Sequence, residues 1–416
     1  MTKTLYKSLI LVSAIFSFGF TLHAQDFWEA LNTPNGIAIR SIAINDAGQI
    51  FLGVGNNNTP GGVYRSEDAG DTWDLVFDNG DFSVYPVEIN PDGDIYIGKG
   101  GFDPLKVSFD NGNIWDSLAY PGTGNFTAMY SPGQDTLFVG SAYLVRTYDN
   151  ASTWDTIFSS ENETEYIKDI LQTQSGDMYI ALTGYFPDMG GVYKSTDGGN
   201  NWELSGLFNY MVSSLAENSE GDVFAGARGI LQSGLWPGLY VLRNGEDEWE
   251  GLLGGPSIED VIVNSADHIY ASSSQVIRSL DNGQSFEYFE EGLFPGPKGD
   301  MTKDELDYLY VTSEFSSNAL YRTINTTVSI AEGFPNSSTQ PLIIYPNPVR
   351  EYLFFLNMPE DHSNNYYLRV YNCMGSLIMQ DQYKHRMFNV GALKSGYYLI
   401  IVNSNNEMRY GRFLKQ

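Results

Sequence analysis

Two short motifs alternate along this chain, and their spacing constrains its fold more than any other feature. The first couples apolar residues, a polar turn and a short aromatic strand. It reads IAINDAGQIFLGVG from Ile42, VEINPDGDIYIGKG from Val87, AMYSPGQDTLFVGS from Ala128 and ILQTQSGDMYIALT from Ile170. It continues as LAENSEGDVFAGAR from Leu215, VIVNSADHIYASSS from Val261 and MTKDELDYLYVTSE from Met301, seven copies spaced 40 to 46 residues apart. The second motif is GVYRSEDAGDTWDLV from Gly62, with relatives from Val107, Val145, Val192 and Val276 and a worn copy from Leu239. Repeats of this length, built of short alternating strands between Gly, Asp and Asn turns, predict the blades of a β-propeller. In the first unit, strand A is expected over Ile39 to Asn45, B over Gln49 to Gly53, C over Gly62 to Ser66 and D over Thr72 to Phe77. The seventh unit stops at Ile324 without its Trp strand, whereas DFWEALN from Asp26 is similar to NWELSGL from Asn201. Phe27 to Leu31 is therefore expected to supply the missing outer strand. That would close a seven-bladed ring and leave no open sheet edge.

The second motif resembles the Asp-box of the sialidase-type propellers, Ser-x-Asp-x-Gly-x-Thr-Trp. Ser66, Asp68, Gly70, Thr72 and Trp73 match it throughout. Looser copies hold Asp110 and Trp115, Asp149 and Trp154, Asp197 and Trp202, and Asp281 and Phe286. A short carboxylate suits a tight turn because it accepts backbone N–H bonds. Gly permits positive φ, and an aromatic ring can bury itself between blades. Many copies of one edge turn cannot converge on one ligand, so these residues read as structural staples. In the resembled families such turns lie on the face opposite the active site.

The first 25 residues have the form of an export signal: Lys3 and Lys7, an apolar run from Leu9 to Phe20, then Leu22-His23-Ala24 before Gln25. That run is shorter than the ~20 residues a spanning helix needs, so no transmembrane anchor is expected in the mature chain. Without Lys3 and Lys7, 21 basic residues face 51 acidic ones, a net charge of −30. Such a surface repels phosphate backbones and argues against a nucleic-acid partner. Cys373 is the single cysteine, which rules out an intrachain disulfide. Stability must come from core burial, for which 14% aromatic residues provide the material.

Residues 26–327 are expected to form the propeller, 328–341 a linker and 342–416 a small antiparallel β-sandwich. The last segment resembles the C-terminal sorting domain of type IX secretion cargo. The resemblance rests on Tyr345-Pro346-Asn347-Pro348, an Asn372 to Gly375 turn, Leu393-x-x-Gly396-Tyr397-Tyr398 and a terminal Arg412-Phe413-Leu414-Lys415. It implies export to the periplasm, recognition by the outer-membrane translocon, and delivery to the cell surface or medium.

With the Asp-box turns on one face, the D–A and B–C loops occupy the other. The ligand-binding candidates there are Arg40, Tyr85, Lys168, Tyr185, Phe186, Arg228 and Trp236, since aromatic platforms beside charged groups suit sugars. Asp169 and Lys298 sit on the same D–A side. A glycosidase would need two carboxylates across a cleft, and Asp103, Asp188, Glu259 and Asp260 are the candidates. A sialidase is disfavoured: Arg65, Arg146, Arg278 and Arg322 share one repeat position and Arg243 lies in the worn box. Only Arg40 and Arg228 then remain for a carboxylate grip. No metal site, cofactor or phosphate loop is expected. The preferred reading is non-catalytic binding of a glycan or surface protein; the alternatives are a polysaccharide hydrolase and a purely structural adhesin.

Overall fold

The computed structural model describes residues 27–327, except 57–58, 100–104, 122–125, 161–163, 185–188, 230–234 and 314–319. It also describes 338–415, except 343, 356–366, 373–376, 383–386 and 404–406. The described residues are all-β, with seven four-stranded antiparallel sheets followed by sheets of five and three strands. Blade 1 runs through A (Ile39–Ile44), B (Ile50–Asn56), C (Thr59–Ser66) and D (Asp74–Asp78). The A strands of blades 2 to 7 are Val84–Ile89, Ala128–Gly133, Tyr166–Gln172, Met211–Glu217, Asp260–Val263 and Lys298–Lys303. Each A strand meets those of its two neighbours, and the seventh meets the first, so the A strands surround a central channel.

The N-terminus closes the ring. Trp28–Ala30 is the outer strand of blade 7 and pairs antiparallel with Leu320–Thr323, Trp28 opposite Thr323. The Trp28 ring is only 1% exposed, and its Nε1–H donates to the Phe289 carbonyl of blade 6 at 2.7 Å. One apolar cluster fills each blade interface. Phe51 and Val63 of blade 1 meet Val84, Val87, Ile95 and Ile97 of blade 2, for example. The aromatic residue opening each outer strand packs on the preceding blade: Trp73, Trp115, Trp154, Trp202, Trp249, Phe286 and Trp28 in turn.

The repeated Ser-x-Asp turns share one local geometry. Asp68 Oδ1 accepts the Thr72 N–H at 2.8 Å, its Oδ2 accepts the Thr72 hydroxyl at 2.6 Å, and the Gly70 N–H donates to Ser66 Oγ at 2.8 Å. Asp110, Asp149, Asp197 and Asp281 likewise accept the backbone N–H four residues on. Strand D begins at Asp74 rather than Thr72 because this turn takes the Thr72 N–H. Hydrogen bonds to the ionised form hold the carboxyls low. Asp197 is lowered to about 2 by Asn201 first and Asp281 to about 2 by Ser285 first. Arginines on strand C then tie four of these five turns to the blade before; blade 2 has Lys106 at that position, and it donates to Ser117 of its own blade instead. Arg65 donates to the Asn111 carbonyl, Arg146 to Gly198, Arg243 to Asn282 and Arg322 to Ala69. The four accepting residues all have positive φ, which turns their carbonyls outward.

In the C-terminal part, Ile344–Tyr345, Tyr352–Phe355 and Met387–Asn389 form the three-stranded sheet. Tyr367–Asn372, Leu377–Gln382, Gly396–Asn403 and Glu407–Lys415 build most of the five-stranded one. Leu353, Phe355, Val370, Ile400 and Phe413 fill the core between them. Two features differ from expectation. Ser338–Pro341, placed in the linker, is the edge strand of the five-stranded sheet, and it pairs parallel with Glu407–Lys415, whereas the other strand pairs described in the domain are antiparallel. The polar composition of that stretch suits an edge strand as well as a linker. Asn347 of the Tyr-Pro-Asn-Pro segment accepts the Leu414 N–H at 2.8 Å and so fastens the last strand. Gly396 and Tyr397 begin the strand beside it. Gly375 and the export-signal residues lie outside the described residues.

Candidate functional site

A register shift recurs where strand A meets strand B at the D–A end of the channel. In blade 1, Ile39 faces Val54 and Ser41 faces Gly53, leaving Arg40 unpaired. The same shift leaves Lys168 over in blade 4 and Ser213 in blade 5. In blade 2 it falls at Tyr85-Pro86 and in blade 7 at Gly299-Asp300. A β-bulge re-aims a side chain, and here it recurs at the channel mouth.

The residue after the bulge bridges blades. Ser41 Oγ accepts the Val87 N–H at 3.1 Å, and Asp169 Oδ2 accepts the Leu215 N–H at 2.7 Å. Asp260 accepts three bonds, from the Ser214 hydroxyl at 2.5 Å and from the Val261 and Met301 N–H groups at 2.8 and 2.6 Å. Both of its oxygens are therefore committed to holding blades 5, 6 and 7 together. Glu88, near the other end of its strand, accepts the Ser131 N–H of blade 3 at 3.1 Å.

Arg40, Tyr85, Lys168, Asp169, Asp260 and Asp300 form one electrostatic group. The Lys168 ammonium lies 5.5 Å from the Tyr85 ring centre. Desolvation raises Asp300 to about 7, with Asp260 adding to the shift and Lys168 and Arg40 opposing it. Desolvation also raises Asp169 to about 6 against its bond from Leu215, and raises Asp260 against its three donors. Tyr85 is pushed up by burial and by Asp300, and Lys168 is pushed down by burial. Buried groups with shifted ionisation mark candidate functional sites, though structural networks shift them too.

Further out on the same face, Arg228 forms an ion pair with Glu259. Trp236 is 72% exposed, and its carbonyl accepts the Tyr240 hydroxyl at 2.8 Å. Lys298, expected at this mouth, is instead buried: its ammonium donates to the Phe294 and Gly296 carbonyls of its own loop. Asp103, Asp188, Tyr185 and Phe186 lie outside the described residues. Asp300 and Glu88 are absent from the sequence-derived candidates. Aligned repeats hold a signal for Asp300, which precedes the buried Met301 as Asp169 precedes Ile170 and Asp260 precedes Val261. At the opposite mouth, a cavity of about 550 Å³ is lined by Asn45, Asp46, Glu88, Asn90, Asp92 and Tyr130, among others. Among the described residues, no group of three or more His, Cys, Asp or Glu could hold a metal ion, and no helix is long and apolar enough to cross a membrane.

Comparison with known proteins decides the role of the C-terminal part. The model of the secretion system C-terminal sorting domain matches residues 343–416. Residues 343–416 are a sorting domain. The chain is thus a β-propeller carried by type IX secretion to the cell surface or beyond. No curated protein matches the chain in sequence. Among solved structures, YCF48 bound to D1 peptide is similar at 16% identity and a TM-score of 0.57, over 73% of this chain and 98% of that one. PorZ, a surface component of the type IX secretion system of Porphyromonas gingivalis, is similar at 14% identity and 0.52, over 90% of this chain and 59% of its own. The GH74 xyloglucanase of Xanthomonas campestris is similar at 13% and 0.52, over 80% and 59%. At these identities the likeness is one of fold.

Proposed function

We propose that this chain is a surface-delivered propeller that binds a glycan or a surface protein, without catalysis, on the face formed by the D–A and B–C loops. An N-terminal signal of 25 residues would take it to the periplasm first, and the propeller would then be the exported cargo. The observation that carries the reading is the exposed Trp236 on the loop that starts at the Arg228–Glu259 pair. Gly229 at the start of that loop lies against Pro237 at its end, so Arg228 and Trp236, the residues on either side of that approach, stand at one loop base. An aromatic plate beside a paired cation and carboxylate offers a stacking surface together with donors and acceptors, which suits a sugar or a polar peptide. The described acidic candidates are poorly placed for hydrolysis, because Asp260 has both oxygens engaged and Glu259 is neutralised by Arg228.

A second reading, glycoside hydrolysis, draws on Asp300. A carboxyl held near neutrality is what a general acid requires, and Asp103 or Asp188 would have to supply its partner. The test is a glycan array and a surface-protein binding screen on secreted protein, with a reducing-sugar assay on every glycan bound. Binding without release, weakened by Trp236→Ala, supports the first reading. Release of reducing ends overturns it.

A further inference from the structure

The small sheet of the sorting domain breaks the rule of its architecture. A two-layer sandwich should turn polar side chains outward from each sheet. Along Tyr352–Phe355 the inward residues are Leu353 and Phe355, as expected, but the outward ones are Tyr352 and Phe354. Phe354 stands directly opposite Tyr345 on one neighbouring strand and opposite Met387 on the other. Directly paired residues on one sheet face lie within side-chain contact. Tyr345, Phe354 and Met387 are 61%, 38% and 49% exposed. They make a continuous apolar band across all three strands, with Tyr352 beside it.

The charge around the band is also unusual. The sorting domain, residues 343–416, carries eight Lys and Arg against five Asp and Glu, whereas the whole chain carries 23 against 51. Arg350, just before Tyr352–Phe355, and Lys394, in the segment that follows Met387–Asn389, are both exposed, with Glu351 exposed beside Arg350. An apolar strip in a basic setting complements an apolar cleft with an acidic rim.

We infer that the outer face of this sheet, centred on Phe354 between Tyr345 and Met387, is the surface by which the sorting domain docks into an acidic-rimmed cleft of the type IX secretion machinery. This does not depend on what the propeller binds. The face is used before delivery, and ligand binding follows it.

The test uses the full chain expressed in a host that secretes it. The double variant Phe354→Ser with Met387→Ser should lower surface delivery by about tenfold or more, as loss of a binding hot spot does. Its propeller and sorting domain should still resist limited proteolysis. Ile378→Ser, which alters an exposed apolar residue of the other sheet, should be exported normally. If the double variant misfolds, a photo-reactive phenylalanine analogue at position 354 decides the matter. It should cross-link to an outer-membrane component of the secretion machinery, and the same analogue at position 378 should not. Normal export of the folded double variant overturns the inference. So does cross-linking from position 354 to this chain's own propeller or a second copy, or no cross-link at all while export proceeds.

Discussion

Replacing Glu88 by Gln should stabilise the propeller, by an amount that grows with pH. Burial, opposed by the bond from the Ser131 N–H, raises this carboxyl from 4.5 to about 8. The folded protein therefore holds a proton that the unfolded chain releases in that window. Protons bound in the folded state make stability fall as pH rises. At neutral pH the cost is about 3 kcal/mol, from roughly 1.4 kcal/mol per pH unit above the unfolded value, and it levels off near 5 kcal/mol above pH 8. Gln keeps an oxygen for the Ser131 N–H and cannot ionise. Thermal unfolding of parent and variant should show curves that nearly coincide at about pH 4.5, where the carboxyl is protonated in both states. They should part by several degrees at about pH 9, at ~2 °C per kcal/mol for a domain of this size. A gap that does not change with pH, or a variant less stable throughout, would refute the reasoning.

Four further outcomes are expected. Trp28→Ala should cost ~3–5 kcal/mol, as for other large-to-small changes of a buried ring, and should expose the N-terminal strand to proteolysis. A near-zero change would mean that this strand does not hold the ring shut. Arg146→Ala should cost ~1.5–3 kcal/mol by leaving the Gly198 carbonyl without its charged donor, measured by denaturant unfolding. Deleting residues 342–416 should hold the propeller in the periplasm, detected by cell fractionation, and normal surface delivery would contradict the role of the domain. Trp236→Ala should weaken binding of any ligand found in the screen by about tenfold or more with no change in unfolding temperature.

Much of this architecture is legible without coordinates because its signals are local. Alternating strands, turns of Gly, Asp and Asn, and a period of 40 to 46 residues determine the blade. The similarity of DFWEALN to the Trp strands extends to Trp28, whose ring packs on the preceding blade as its counterparts do and whose Nε1–H donates to a carbonyl there, as those of Trp115 and Trp154 do. The Ser-x-Asp turns close through bonds spanning four residues, so a single sequence carries them whole. The channel is a different matter. Lys168 and Lys298 both lie in the first half of an A strand, yet one stands beside Tyr85 and the other folds back onto its own loop. That difference comes from a register shift between strands and from the path of the preceding loop, and neither is written at one position. The arginines of strand C are visible as a column in aligned repeats, but their acceptors lie 39 to 253 residues away on the next blade. The ionisation of Glu88, Asp169 and Asp300 depends on desolvation by neighbours that only ring closure assembles. The repeat, the turns and the sorting tail can be read from the chain alone, because each is stabilised by residues near one another in it. The tertiary structure decided which charges meet in the channel and which aromatic residues stay exposed, because burial belongs to the assembled ring and not to any one blade.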